Sequence, residues 1–166
     1  MLEDPRILLC YDGSDQAIEA IDFAARFCGG DTRATVLYAW EASPTAISAD
    51  WAPVTIPPEP DKQEQRRARS LAEAGAQYAR DRGLDAEARI DEAMASPWRT
   101  IVDVADGEYD LIVMGTRGVT GLRSLVLGST SHHVVQHAVC PVLIVPAAEI
   151  GEARRKLAQA NGHAGR

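Results

Sequence analysis

The residues best suited to chemistry lie between Gly115 and Thr130: Gly-Thr-Arg-Gly-Val-Thr-Gly-Leu-Arg-Ser-Leu-Val-Leu-Gly-Ser-Thr. Glycines stand at 115, 118, 121 and 128, and hydroxyls at 116, 120, 129 and 130. Glycine lets a backbone take positive φ and approach a ligand closely. Gly128-Ser129-Thr130 opens a short helical pattern, so free N–H groups and hydroxyls meet where the helix dipole favours an anion. This pattern fits a phosphate cradle, and it also fits a surface loop followed by a capped helix; the local sequence accommodates both.

Catalytic constellations are sparse. No Gly-Lys-Ser/Thr occurs, so a P-loop phosphoryl-transfer mechanism lacks its lysine. His132, His133 and His137 are close in sequence, but 133 and 137 share a helix face while 132 points elsewhere, which is not a metal-ligand spacing. Cys140 is the nearest thiol, three residues past His137, and no obvious ligand set forms, so they read as surface or core histidines. Ser129 has no neighbouring base and reads as a cap and anion donor, not a nucleophile. Arg66-Arg67-Ala68-Arg69 reads as a solvated helix face, and Trp40, Trp51 and Trp98 as packing residues. Trp51 stands apart because it lies in a long loop and is placed to cover a site.

The elements that position these residues follow from periodicity. Arg6–Tyr11 is a continuous apolar run, as a strand covered on both faces requires. Ser14 then caps a helix whose apolar residues Ala17, Ile18, Ile21, Ala24, Ala25 and Cys28 recur at helical spacing, and Gly29-Gly30 stops it. Thr35–Trp40 is a second strand. Residues 41–60, with five prolines and no period, form a long irregular excursion, either a lid or a disordered insertion. A charged helix runs from Asp61 to Gly83, and Ala86–Ile90 is a less apolar third strand suited to a sheet edge. Ser96-Pro97 starts a third helix, which ends at Gly107. Leu111–Met114 is a strand, 129–137 a helix, and Val142–Val145 a fifth strand between Pro141 and Pro146. Residues 147–166 form a polar tail. Five strands alternating with four helices predict an α/β domain with a doubly wound, mostly parallel sheet. Ligands in such sheets bind beyond the carboxyl ends of strands, where Asp12 and Gly115 both fall.

Composition narrows the function. The 166 residues suit one domain, residues 1–146, with a real core. A net charge of −7 argues against a nucleic-acid binder, which shows a basic face. No apolar run reaches membrane-spanning length and the N-terminus has no signal pattern, so the expectation is a cytoplasmic protein without a membrane partner. Cys10, Cys28 and Cys140 lie in apolar surroundings with no CxxC pairing and are expected reduced.

In register along the chain, four segments resemble the universal stress protein family. Gly115, Gly118, Gly128 and Ser129 complete its pattern of glycine, two residues, glycine, nine residues, glycine and hydroxyl. Ile7–Ser14 and Cys140–Pro146 are similar to the family's two ends, and Tyr109–Gly115 to its fourth strand. The resemblance covers residues 4–146. It implies a Rossmann-like fold, similar to the adenine nucleotide α-hydrolases, with helices on both faces of a sheet ordered 3-2-1-4-5. It also implies a homodimer joined through the fifth strand, Val142–Val145.

The complete glycine pattern goes with the family's ATP-binding members. Carried over by position, Asp12 contacts the ribose or a Mg²⁺ ion, Cys10 lines the base pocket, and Ala39 offers backbone groups to the adenine. Met114 and Gly115 lie against the ribose and the first phosphate, with Gly118, Gly128, Ser129 and Thr130 around the phosphates. Arg117 either pairs with a phosphate or is a solvated loop arginine. Cys10 replaces the usual proline or alanine and Ala39 the usual valine, which implies a slightly looser base pocket. Ala95-Ser96-Pro97 departs from the family at a turn remote from the ligand. The implied function is an ATP-dependent stress or signalling module with slow hydrolysis or none. The alternative is a dimeric interaction protein with an empty cradle. A nucleotidyl-transfer enzyme is disfavoured by the absence of a His-x-x-His start and of a second substrate domain.

Overall fold

The computed structural model describes residues 5–29, 32–40, 62–93, 96–116 and 127–147. The expected excursion at 41–60 with Trp51, the cradle residues Arg117 and Gly118, and the tail beyond 147 lie outside the described residues. The elements are β1 (Arg6–Cys10), α1 (Asp15–Cys28), β2 (Arg33–Trp40), α2 (Lys62–Asp81), β3 (Asp85–Glu92), α3 (Pro97–Ala105), β4 (Leu111–Gly115), α4 (Ser129–His137) and β5 (Val142–Val145). The five strands form one parallel sheet in the order β3-β2-β1-β4-β5, as the family resemblance implied.

Alternation along the strands splits the core in two. Ile7, Leu9 and Tyr11 face one side with Val36, Val113 and Val145, against Ala17, Ala20, Ile21 and Ala24 of α1 and Ala76 and Ala79 of α2. Leu8, Leu37, Ile112 and Met114 face the other side, against Ile101, Val104 and Ala105 of α3 and Val134 of α4. Both faces are dry, which is why β1 and β4 read as unbroken apolar runs. Each large aliphatic side chain buried in these layers contributes about 1.5–3 kcal/mol.

β3 is the exception, and it lies at the sheet edge as its composition predicted. It runs from Asp85 to Glu92, longer than the expected 86–90, because eight of its residues pair with β2. Ala86 and Ala88 meet the α1/α2 layer. Arg89 pairs with Asp91 at 2.7 Å and with Glu108 at 3.2 Å, while Glu87 accepts from Thr35. A strand carrying that many charges survives because its second face extends beyond the helical cover.

The helix starts also follow their sequence signals. The Ser14 hydroxyl accepts from Ala17 N–H at 3.2 Å and caps α1, a contribution of about 1 kcal/mol. Pro97 occupies the first turn of α3, where its missing N–H has no cost. Every helix of this fold begins near the carboxyl end of the strand before it, so helix N-termini gather at one end of the sheet.

Candidate functional site

At that end the chain leaves β1 through Tyr11-Asp12-Gly13-Ser14. Asp12 Oδ1 accepts from the Ser14 backbone N–H at 3.0 Å, and Gly13 takes φ 82°, a value side-chain-bearing residues avoid. The turn thereby fixes a half-buried carboxylate directly beyond the sheet.

The adjacent strand supplies backbone groups. Leu37 C=O takes the last β1–β2 bond, from Tyr11 N–H at 2.9 Å, whereas Trp40 C=O accepts from Ala93 on the β3 side at 2.7 Å. N–H and C=O groups alternate in direction along a strand. Ala39, two residues past Leu37, therefore turns its backbone pair toward the β1 side, beyond the end of β1.

Across β1, the join between β4 and α4 is pinned by hydrogen bonds. Ser131 is buried and its hydroxyl contacts two carbonyls, Gly115 O at 3.0 Å and Thr116 O at 3.3 Å. Gly128 N–H donates to Thr116 O at 2.8 Å, and Thr116 N–H to Val145 O at 3.2 Å. Gly128 is the N-cap of α4 and provides no side-chain bond. The first helical bond runs from His132 N–H to Gly128 O, so the amides of Ser129, Thr130 and Ser131 open the helix as donors without an intrahelical partner.

These parts enclose a cavity of about 160 Å³. Six of the ten sequence-predicted residues line it: Cys10, Asp12, Ala39, Met114, Gly115 and Thr130. Gly128 and Ser129 stand at the start of α4, next to it in sequence but outside its lining. The sequence reading missed Tyr11, Ala17, Leu37, Tyr38, Pro97, Ile101 and Ser131, which complete the wall. Pro97 and Ile101 are one helical turn apart on α3, a spacing visible in the sequence but indistinguishable there from ordinary core packing.

One glycine has a different reason from the one the sequence suggested. A Cβ on Gly115 would lie 3.1 Å from both Cβ and the carbonyl oxygen of Gln16 in α1. Close packing of α1 on β4 leaves little room for a side chain here, so glycine suits the position whatever approaches from the cavity side.

The wall is largely apolar, with Asp12 as its carboxylate. Burial, followed by the neighbouring Asp12 charge, pushes the Cys10 thiol up to about 12. It stays protonated at neutral pH and is a poor nucleophile. Ser131 is committed to two carbonyls, so the described wall presents no activated nucleophile–base pair. The arrangement can hold a flat apolar ring, hydrogen-bond its edge through Ala39, and receive a polar or anionic extension near Asp12 and α4. A Mg²⁺ ion fits only in part. It prefers octahedral oxygen ligands and commonly takes one or two carboxylates plus substrate phosphates, and Asp12 supplies a single carboxylate.

The histidines serve packing. Trp98 of α3 stacks on His133 and His137 of α4, with ring centroids 5.1 and 4.9 Å apart, and His133 Nδ1 lies 2.7 Å from Ser129 O. Among the described residues, no group of three or more His, Cys, Asp or Glu side chains is placed to hold a metal. No disulfide joins the three cysteines. No described helix is long and apolar enough to cross a membrane.

Sheet order, two-sided helical cover and a cavity at the strand carboxyl ends define a Rossmann-like α/β domain. Residues 5–146 match the universal stress protein family, and the chain belongs to that family. A universal stress protein of Thermus aquaticus, encoded beside a QAH/OAS sulfhydrylase, is 38% identical over 141 residues, covering 84% of this chain and 96% of the relative. Among solved structures, the protein MJ0577 superposes with a TM-score of 0.64 at 21% identity, over 87% of this chain and 97% of its own. An Archaeoglobus fulgidus universal stress protein in complex with dAMP gives a TM-score of 0.60 at 21% identity, over 87% and 98%. A universal stress protein in complex with cAMP gives 0.58 at 20% identity, over 87% and 98%.

Proposed function

We propose that this chain is an adenine-nucleotide-binding universal stress protein that holds ATP and hydrolyses it slowly or not at all. The observation that carries the reading is convergence. Cys10, Asp12, Ala39, Met114, Gly115 and Thr130 come from four separate segments and line one cavity. Structural neighbours crystallised with dAMP and cAMP support an adenine ligand. In this reading the base enters between Cys10, Leu37, Ala39 and Ile101, and the Ala39 backbone pair meets its hydrogen-bonding edge. Asp12 takes the ribose hydroxyls or shares Mg²⁺ with the phosphates. Met114 and Gly115 lie beside the sugar, and Gly118, Gly128, Ser129 and Thr130, with Arg117, surround the phosphates. Mg²⁺ would supply charge neutralisation there. The residues themselves bind and orient; none is placed to activate water, so turnover over hours with excess ATP should be near background.

Thermal unfolding with and without ATP and Mg²⁺ tests the reading. Ligand at about a hundred times its Kd adds roughly 2.7 kcal/mol, a rise of about 5–10 °C for a domain of this size. No rise with millimolar ATP sinks it.

A homodimer through β5 is part of the proposal. β5 is a four-residue edge strand. Phe27, Val135 and Val139 are 69%, 48% and 70% exposed. Phe27 and Val135 lie on α1 and α4, the two helices that pack against β5, and Val139 follows α4. An open edge flanked by exposed apolar groups suits a second copy. Val135→Glu with Val139→Glu should convert a dimer to a monomer in light scattering.

A further inference from the structure

The turn that holds Asp12 is gripped from the side by α2. A Cβ on Gly75 would fall 2.7 Å from Cδ1 and 2.9 Å from Cε1 of the Tyr11 ring, closer than real side chains come. One helical turn earlier, Leu71 Cδ1 stands 3.0 Å from where a Cβ on Gly13 would lie. Residues 71 and 75 share one face of α2. The residues on either side of Asp12 are thus each fixed by that single face, Tyr11 against Gly75 and Gly13 against Leu71.

Two features set this contact apart from general packing. Glycine inside a helix costs about 1 kcal/mol relative to alanine, and Gly75 lies in the interior of the 20-residue α2, where the three atoms nearest to an added Cβ all belong to the Tyr11 ring. Tyr11 also sits between two cavity-lining residues, Cys10 and Asp12, so a displaced ring carries the cavity wall with it. We infer that the Leu71–Gly75 edge of α2 is the positioning surface for Asp12, and that the seating of α2 sets nucleotide affinity. The inference rests on the nucleotide reading of the site. It makes Leu71 and Gly75 positioning residues that act through Tyr11, itself part of the cavity wall, and through the Asp12 turn.

The test is titration of ATP with Mg²⁺ into wild type, Gly75→Ala, Tyr11→Ala, the double variant and Leu71→Ala, with circular dichroism to verify the fold. Gly75→Ala should weaken binding about tenfold or more while keeping the native spectrum. In the Tyr11→Ala background the same substitution should change affinity less than about twofold, because the ring it displaces is gone. Leu71→Ala adds no bulk and should weaken binding about threefold or more through a loosened Gly13. Equal losses from Gly75→Ala in both backgrounds, or wild-type affinity in Gly75→Ala and Leu71→Ala, overturn the inference and leave the nucleotide reading intact. Wild-type protein that takes up no nucleotide overturns both.

Discussion

The two ends of the sheet make a useful contrast. At the carboxyl end lies the cavity of about 160 Å³ with its apolar wall. At the amino end lies a larger recess of about 370 Å³, lined by Arg6, Arg33, Asp85, Glu87, Arg89, Glu108 and Tyr109 among others. By size alone the amino end is the better site, but several of its charged groups already have partners within the protein. Arg89 is paired with both Asp91 and Glu108, Thr35 donates to Glu87, and Asp110 accepts from the Arg6 backbone N–H. At the carboxyl end the donors at the start of α4 have no intrahelical partner and no capping side chain. Gathered helix N-termini, whose first amides lack an intrahelical partner, suit an anion-bearing ligand in a way that volume alone does not.

Substitutions at each end test that contrast. Ala39→Phe should fill the base side of the cavity and lower ATP affinity about a hundredfold, while overpacking costs about 1–3 kcal/mol of stability. Parallel titration calorimetry and thermal melts separate the two effects. Asp12→Ala should weaken ATP about tenfold to a hundredfold, the range for a hydrogen bond to a charged group. Competition against a fluorescent adenine nucleotide would measure it.

A third prediction concerns pH. The native state holds the Cys10 proton up to about pH 12, whereas an unfolded chain releases it from the ordinary value of 9.0. Binding the proton more tightly when folded, the protein keeps this stability below pH 9 and loses it progressively between 9 and 12. Melting temperatures should fall over that window, and Cys10→Ala should flatten the decline, with Cys28 and Cys140 also pushed up by burial and adding to what remains. The smallest effect belongs to the amino end. Arg89→Ala breaks two partly exposed ion pairs and should cost no more than about 1 kcal/mol, with ATP affinity unchanged in the same calorimeter. A nucleotide defect from Arg89→Ala equal to that from Asp12→Ala would erase the distinction between the two ends.

Much of this architecture was legible in the sequence because local signals and burial agree. The runs at Ile7–Leu9 and Ile112–Met114 are apolar on successive residues, which only a two-faced strand explains, and Ser14, Ser96-Pro97 and Gly107 mark helix ends by their own chemistry. β3 was read too short because Asp85, Asp91 and Glu92 are charged, and only their pairing with Arg33, Ala39 and Trp40 of β2 shows them to be strand. In the candidate site, Asp12 was legible because it lies just past the end of an apolar strand, whereas Cys10 and Met114 were reached through the family resemblance. Ile101 and Leu37 were not, since a side chain lining a cavity has the same composition and period as one filling a core. Gly115 was anticipated but for another reason, because its close neighbour Gln16 lies 99 positions away in sequence, and contact at that range leaves no local trace. The same holds for Gly75 against Tyr11.

The central claim is that the carboxyl-end cavity holds an adenine nucleotide, and native mass spectrometry of freshly purified protein tests it most directly. The expected species is a complex whose added mass is that of an adenine nucleotide, either carried through purification or formed on adding ATP and Mg²⁺, and lost in Ala39→Phe. Folded protein that shows no added mass with millimolar ATP, or that binds equally well with the cavity filled, would contradict it.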